Sequence, residues 1–234
     1  MNPLTCVSGY WRVKNKHGTK FDKWFSNTLR VNCPYVFFSD KETIEIVKQY
    51  RVGLPTYYVE CRMEDFYTFK YRDKMITHHV HCPSVELNLI WNEKIFLLQK
   101  ASDLNPFNSE YFQWIDAGFG PYRNKCPPNR PFPNIEKLNS LPKDKFIYSS
   151  SSPYNKKFVK VNSYYHHVAG TSYVIHKSLI NRFVEIYKEY LGKLVDRNNI
   201  WTDQVILTHI YKDNKDLFFK LCDGYGAITE YLYK

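Results

Sequence analysis

The sequence predicts a single α/β domain (residues 1–234) in which a mostly parallel central sheet carries helices on both faces. Three observations predict it. Short apolar segments alternate with longer segments of helical periodicity, the pattern of strands joined by helical crossovers. Several short segments are continuous apolar runs, as strands buried on both faces require. The chain has 234 residues, 44% hydrophobic and 24% charged, with no internal repeat or linker, which is enough to bury one sizeable core.

Val7 to Trp11, Pro34 to Phe38, Thr56 to Cys61, Tyr111 to Ile115, Lys145 to Tyr148 and Leu217 to Leu221 read as strands. Lys41 to Tyr50 reads as a helix. Ser39 or Asp40 before it suits an N-cap, because the side-chain oxygen can accept from a free amide of the first turn. From Leu87, apolar residues recur at Ile90, Trp91, Leu97, Leu98 and Ala101 at helical spacing. Leu179 to Leu194 forms a second such stripe, and Trp201 to Tyr211 reads as a more buried helix. Between Pro121 and Pro142 lie six prolines, which exclude both helix and central strand. A stretch of this length reads as a functional loop over a site or as a surface excursion, with the first favoured.

Composition excludes several classes. The net charge is +10, yet lysines are scattered and no basic block or nucleic-acid module occurs, so nucleic acid is not an expected partner. The six cysteines are widely spaced without a C-x-x-C pair and read as reduced thiols, most of them small core residues. No segment approaches the ~20 apolar residues of a membrane span, and the N-terminus has no apolar leader, so a cytoplasmic protein is expected. His78-His79-Val80-His81-Cys82 fits no usual zinc spacing, and His166-His167, just before Val168-Ala169-Gly170, reads either as a pair at the ligand pocket or as an ordinary loop pair, with the second favoured.

In open α/β sheets, ligands bind beyond the carboxyl ends of the strands. The first strand runs into Ser8, Gly9 and Tyr10, the second into Asp40, the fourth into Asp116, Ala117 and Gly118, and the sixth into Asp223 and Gly224. Each Asp or Gly alone is what a turn needs. Three carboxylates converging on one sheet edge point to a polar site. Lys94 falls on the apolar stripe between Ile90/Trp91 and Leu97/Leu98, so its ammonium must snorkel to solvent or reach an anion. The expectation is the second.

The strings Glu86-Leu-Asn-Leu-Ile-Trp-Asn-Glu-Lys94, Asn105-Pro-Phe-Asn-Ser and Trp114-Ile-Asp-Ala-Gly118 resemble the WlaTC/HtrL family of bacterial and giant-virus proteins assigned as glycosyltransferases. Pro34-Tyr-Val-Phe-Phe-Ser-Asp40, Val168-Ala-Gly-Thr171 and Trp201-Thr-Asp-Gln-Val-Ile-Leu207 extend the resemblance, in order, over most of the chain. Through it the chain is similar to the GT-A group of nucleotide-sugar transferases, whose fold is Rossmann-like.

The resemblance implies a nucleotide-sugar donor, UDP-linked, and a glycan or other hydroxyl acceptor. It implies that Asp116 stands for the first carboxylate of an Asp-x-Asp metal motif, with Gly118 where the second should be. Asp223 is therefore expected to join Asp116 in holding one Mn²⁺ or Mg²⁺, since such ions often take only one or two carboxylates beside phosphates. Lys94 is expected to reach the donor, and Trp114, Ala117 and Gly118 to line its site. Gly170 and Thr171 are expected at the sugar pocket, with Asp203 and Gln204 near sugar and acceptor. Asp203 is the candidate general base of an inverting transfer; it also suits a helix N-cap, and the two roles are not exclusive. Two other classes remain open: a non-catalytic nucleotide- or carbohydrate-binding protein on a decayed transferase fold, which Gly118 favours, and a basic protein that packs nucleic acid.

Overall fold

The structure, a computed structural model, describes residues 3–154, 166–196 and 202–234. Seven strands form one sheet: β1 (Leu4–Gly9), β2 (Tyr35–Ser39), β3 (Thr56–Glu60), β4 (Tyr111–Ile115), β5 (Phe146–Ser150), β6 (Val168–His176) and β7 (Phe218–Asp223). Their order is β3-β2-β1-β4-β6-β5-β7. Every neighbouring pair is parallel except those of β6, which runs antiparallel to both β4 and β5. The architecture is the predicted single α/β domain with a mostly parallel sheet.

The sequence reading found six of these strands and left out β6. The reason is physical: Ala169, Gly170, Thr171 and Ser172 break its apolar run with small and polar residues, so neither alternation nor a continuous apolar run marks this buried strand. It also passes straight into α5 (Lys177–Val195) without a turn residue, His176 serving as both last strand residue and N-cap. The first strand was placed too late. It ends at Gly9, and Tyr10 and Trp11 leave the sheet edge.

Alternate strand residues feed two cores, as the period of two dictates. Phe112 and Trp114 of β4 pack on one face with α3 (Val85–Leu104), α5 and α6 (Asp203–Asp213). Tyr111 and Ile115 pack on the other with α1 (Lys20–Thr28), α2 (Lys41–Tyr50), α4 (Ile135–Asn139) and α7 (Ala227–Tyr233). Each fully buried Leu, Ile or Phe contributes about 1.5–3 kcal/mol. The proline-rich stretch belongs to this second core through Phe132, Leu138 and Leu141. Much of it is exposed, and its prolines do not keep it free of helix, since α4 lies within it; only its start, at Arg123, reaches a cleft.

α3 begins where Ser84 accepts from the Leu87 amide and stops at Asn105, which takes the left-handed conformation at φ 36°. It is wedged between the sheet, α5 and the 3₁₀ stretch Tyr67–Lys74, so polar residues on several of its sides are buried, including Asn88, Asn92, Glu93 and Lys94. Trp201, the expected start of α6, lies outside the described residues. Among the described residues no helix is long and apolar enough to cross a membrane. All six cysteines are free.

Candidate active site

A cleft of about 380 Å³ opens at the carboxyl ends of β1 and β4. Gly9, Tyr10 and Trp11 enter it from β1, Asp116, Ala117 and Gly118 from β4, Trp91 and Lys94 from α3, and Thr202, Asp203 and Gln204 from the start of α6. Gly9 is needed there because a Cβ would lie 2.8 Å from the Trp11 ring.

Lys94 forms the floor. It is 4% exposed, and its ammonium sits 2.9 Å from Asp116 Oδ1 and 3.2 Å from Asp203 Oδ2 while donating to the Gly170 carbonyl at 3.1 Å. Burial pulls its pKa down, but Asp116 and then Asp203 overcome this and hold it above the ordinary lysine value. Lys94 is therefore neither snorkelled nor on the surface.

Asp116 Oδ1 also accepts the Trp114 indole N–H at 2.7 Å. The Asp116 amide donates to the Thr171 carbonyl at 3.0 Å, which ties the end of β4 to β6. Asp203 is buried. Burial pushes its carboxyl up to about 6, against Lys94, which pulls it down, and with Asp116, which pushes it further up. Thr202, not Asp203, caps α6: its hydroxyl accepts from the Gln204 amide and donates to Asp203 Oδ1 at 3.0 Å. The cap reading of Asp203 is thus corrected, and its Oδ2 has only the ion pair with Lys94 among the described residues. Gly170 lies against this carboxylate so closely that a Cβ would meet Oδ2 at 2.4 Å, and its amide donates to Gln204 Oε1 at 3.0 Å.

The other expected site residues divide. Trp114, Ala117, Gly118 and Gln204 line the cleft, and Gly170 and Thr171 stand behind it as backbone partners. Ser8 is buried and does not line it. Asp40 caps α2, accepting from the Thr43 amide at 2.8 Å and hydroxyl at 3.0 Å. Asp223 and Gly224 lie at the end of β7, separated from β4 by β6 and β5, so about 14 Å away at ordinary strand spacing. There Asp223 accepts from Ser150 and from Lys220, and these bonds lower its pKa. The structure does not bring Asp116 and Asp223 together.

The residues present do not fit a divalent cation held by paired carboxylates. The ammonium of Lys94 already occupies the space between Asp116 and Asp203. A side chain at position 118 would start 2.4 Å from the Phe21 ring. Among the described residues no three His, Cys, Asp or Glu side chains gather into a metal-binding group.

Sequence reasoning missed Lys16, His17, Phe21, His81, Arg123 and the hydroxyl of Thr202, all of which line the cleft. Most sit in irregular polar segments that carry no periodic signal. His166 lines the cleft, whereas its neighbour His167 is buried against the Tyr148 hydroxyl at 2.7 Å. Burial chiefly, with His81 and Lys16, holds His166 down to about 4, so it is neutral at physiological pH.

Mouse xyloside xylosyltransferase 1, in its apo form, is similar to this chain at 13% identity and a TM-score of 0.55, over 94% of this chain and 85% of that one. A 4-diphosphocytidyl-2C-methyl-D-erythritol synthase from Anaerococcus prevotii is similar at 12% identity and a TM-score of 0.45, over 97% and 90%. The first likeness carries the GT-A-like fold. No curated protein sequence matches the chain. Residues 56–227 match the HtrL_YibB family, described as bacterial protein of unknown function, and with that match spanning most of its length the chain belongs to the HtrL_YibB family.

Proposed function

We propose that this cleft transfers a sugar from a nucleotide-sugar donor to a hydroxyl acceptor. The observation that carries the reading is the Asp116–Lys94–Asp203 cluster, built on a buried Lys94 and a buried Asp203, on the floor of a cleft at the carboxyl ends of parallel strands. The likeness to a xylosyltransferase supports it. In the reaction the bond from the sugar's anomeric carbon to the donor diphosphate breaks, a bond from that carbon to the acceptor oxygen forms, and the acceptor proton goes to a base. Asp203 is that base in an inverting transfer. With a pKa of about 6 it is ionised at neutral pH, yet it holds a proton better than an ordinary aspartate. Lys94 fixes its position, and Gly170 leaves room for it. A uridine-linked donor and a glycan acceptor are the first to try.

The test is a panel of nucleotide sugars, with and without Mn²⁺ and with simple sugar acceptors, scored by release of nucleoside diphosphate. Asp203→Asn should lower kcat by about 10²–10⁴-fold and leave donor affinity nearly unchanged in calorimetry, because a base acts in the transition state. Equal losses in both would make Asp203 a binding residue. Tight donor binding without turnover would favour the second reading, a non-catalytic binding protein, which Gly118 in place of a carboxylate supports.

A further inference from the structure

Two cations of the cleft are left over by the cluster on its floor. Lys16 and Arg123 both line it, Arg123 half-buried and Lys16 exposed, and neither has a carboxylate partner among the described residues. Arg123 is held in place without one. Its Nε donates to the Gly118 carbonyl at 2.8 Å, and its guanidinium lies 4.1 Å over the Trp24 ring. That leaves the terminal nitrogens of a fixed, planar fork, the geometry that takes phosphate oxygens two at a time. Among the described residues, the side chain of Lys16 has no hydrogen bond or ion pair to anchor it.

The two charges oppose each other. Burial first, and then Arg123, lowers the pKa of Lys16. Burial, Arg123 and Lys16, with Lys20, hold the neighbouring His17 down to about 4. Like charges on one cleft wall without a paired carboxylate repel each other until an anion arrives, and such groups gather where ligands bind. Arg123 also feels Asp116, so this positive corner adjoins the Lys94 cluster.

A departing diphosphate needs positive charge beside it. Asp116 and Asp203 spend their charge on Lys94, and the carboxylate that would complete a metal site is absent at Gly118 and remote at Asp223. We propose that the cleft binds the diphosphate of its nucleotide donor on protein cations, with Lys16 and Arg123 taking the phosphates and the Lys94 ammonium standing in the place of a divalent metal. This rests on the transferase reading and specifies how the donor is held.

The experiment is calorimetric titration of the whole chain with UDP, GDP, ADP, CDP and inorganic pyrophosphate, in EDTA and in Mn²⁺. At least one nucleoside diphosphate should bind in EDTA with a Kd within about threefold of that in Mn²⁺, a difference under about 0.7 kcal/mol. Lys16→Gln and Arg123→Gln should each raise that Kd about tenfold or more, as loss of a charge-assisted bond does. Lys193→Gln, which removes an exposed charge on α5, should leave it unchanged. Arg123 also packs on Trp24, so a thermal melt must show that its variant folds; Lys16→Gln has no such contact and decides the matter. Binding that requires Mn²⁺, or that Lys16→Gln does not weaken, overturns the proposal and leaves the transferase reading standing. Pyrophosphate binding as tightly as every nucleotide also overturns it, because the site would then be a bare anion site. If no nucleoside diphosphate binds in either buffer, the transferase reading itself falls.

Discussion

Glu93 and Lys94 follow one another on α3, and both carry a charge into the interior at 3% and 4% exposure. Glu93 turns toward the 3₁₀ stretch packed on α3. Its Oε1 accepts from the Tyr67 amide at 3.0 Å, and its Oε2 accepts from the Thr68 amide at 3.0 Å and the Thr68 hydroxyl at 2.8 Å. Lys94 turns the other way, to two carboxylates and a carbonyl brought in from β4, β6 and α6. Glu93 fastens one local segment to a helix through neutral donors, and the Thr68 hydroxyl among them also reaches the Leu89 carbonyl of the same helix. The partners of Lys94 are themselves charged and border a cleft, so a ligand can change what they pair with. Burial alone does not mark function; the nature of the partners does.

Lys94→Met should break this comparison most severely. It leaves Asp116 and Asp203 facing each other without the ammonium, and removing one member of a buried ion pair costs about 3–5 kcal/mol. Urea melts should show that loss at pH 8, and a smaller one near pH 5, where Asp203 can take up a proton. An equal loss at both would mean that Asp203 is not the group left uncompensated. Transfer should fall about 10²-fold or more in the same variant.

Gly170→Ala comes next. Its methyl group must push Asp203 or Gln204 aside, which overpacking data put at about 1–3 kcal/mol. Transfer should fall at least as steeply as stability, measured as kcat on folded protein; unchanged kcat would remove Asp203 from the reaction.

Glu93→Gln sharpens the comparison from the other side. It should cost about 1–2 kcal/mol, because an amide cannot accept all three bonds, while kcat per folded molecule stays at the wild-type value. A changed kcat would erase the distinction between the two neighbours.

The smallest effect is on the shape of stability against pH. Burial is the first cause of both raised carboxyl pKa values, to about 6 for Asp203 and about 7 for Glu93, so the folded chain binds these protons more tightly than the unfolded one. The stability they contribute is present below the unfolded values near 4 and is lost as pH rises through 6 and then 7. Asp203→Asn should remove the lower step and Glu93→Gln the upper one, readable in melts taken across pH 4 to 8.

Where local chemistry punctuates the chain, the sequence was legible to the residue. β4 has its predicted bounds, Tyr111–Ile115, and α2 runs over the predicted Lys41–Tyr50 behind its Asp40 cap. β6 was not legible, because Ala169 to Ser172 break its apolar run and no turn separates it from its helix. α1 and α7 are short, nine and seven residues, and their stripes are too brief to stand out. In the site, Lys94 was legible as a charge on an apolar stripe and Asp116 as a carboxylate at a strand end. Lys16 and Arg123 were not, since nothing local separates them from the rest of the 33 Lys and Arg residues.

By itself the sequence determined the α/β class, the alternation of elements and the three strand ends that carry Asp40, Asp116 and Asp223, because these depend on periodicity and on residues near in the chain. Only the tertiary structure decided which of the three faces the cleft. All three lie at carboxyl strand ends, yet Asp40 is used by its own helix, Asp223 is three strands from β4, and Asp116 alone meets Lys94 and Asp203. Strand order follows from how whole faces pack against one another, and no local pattern encodes it.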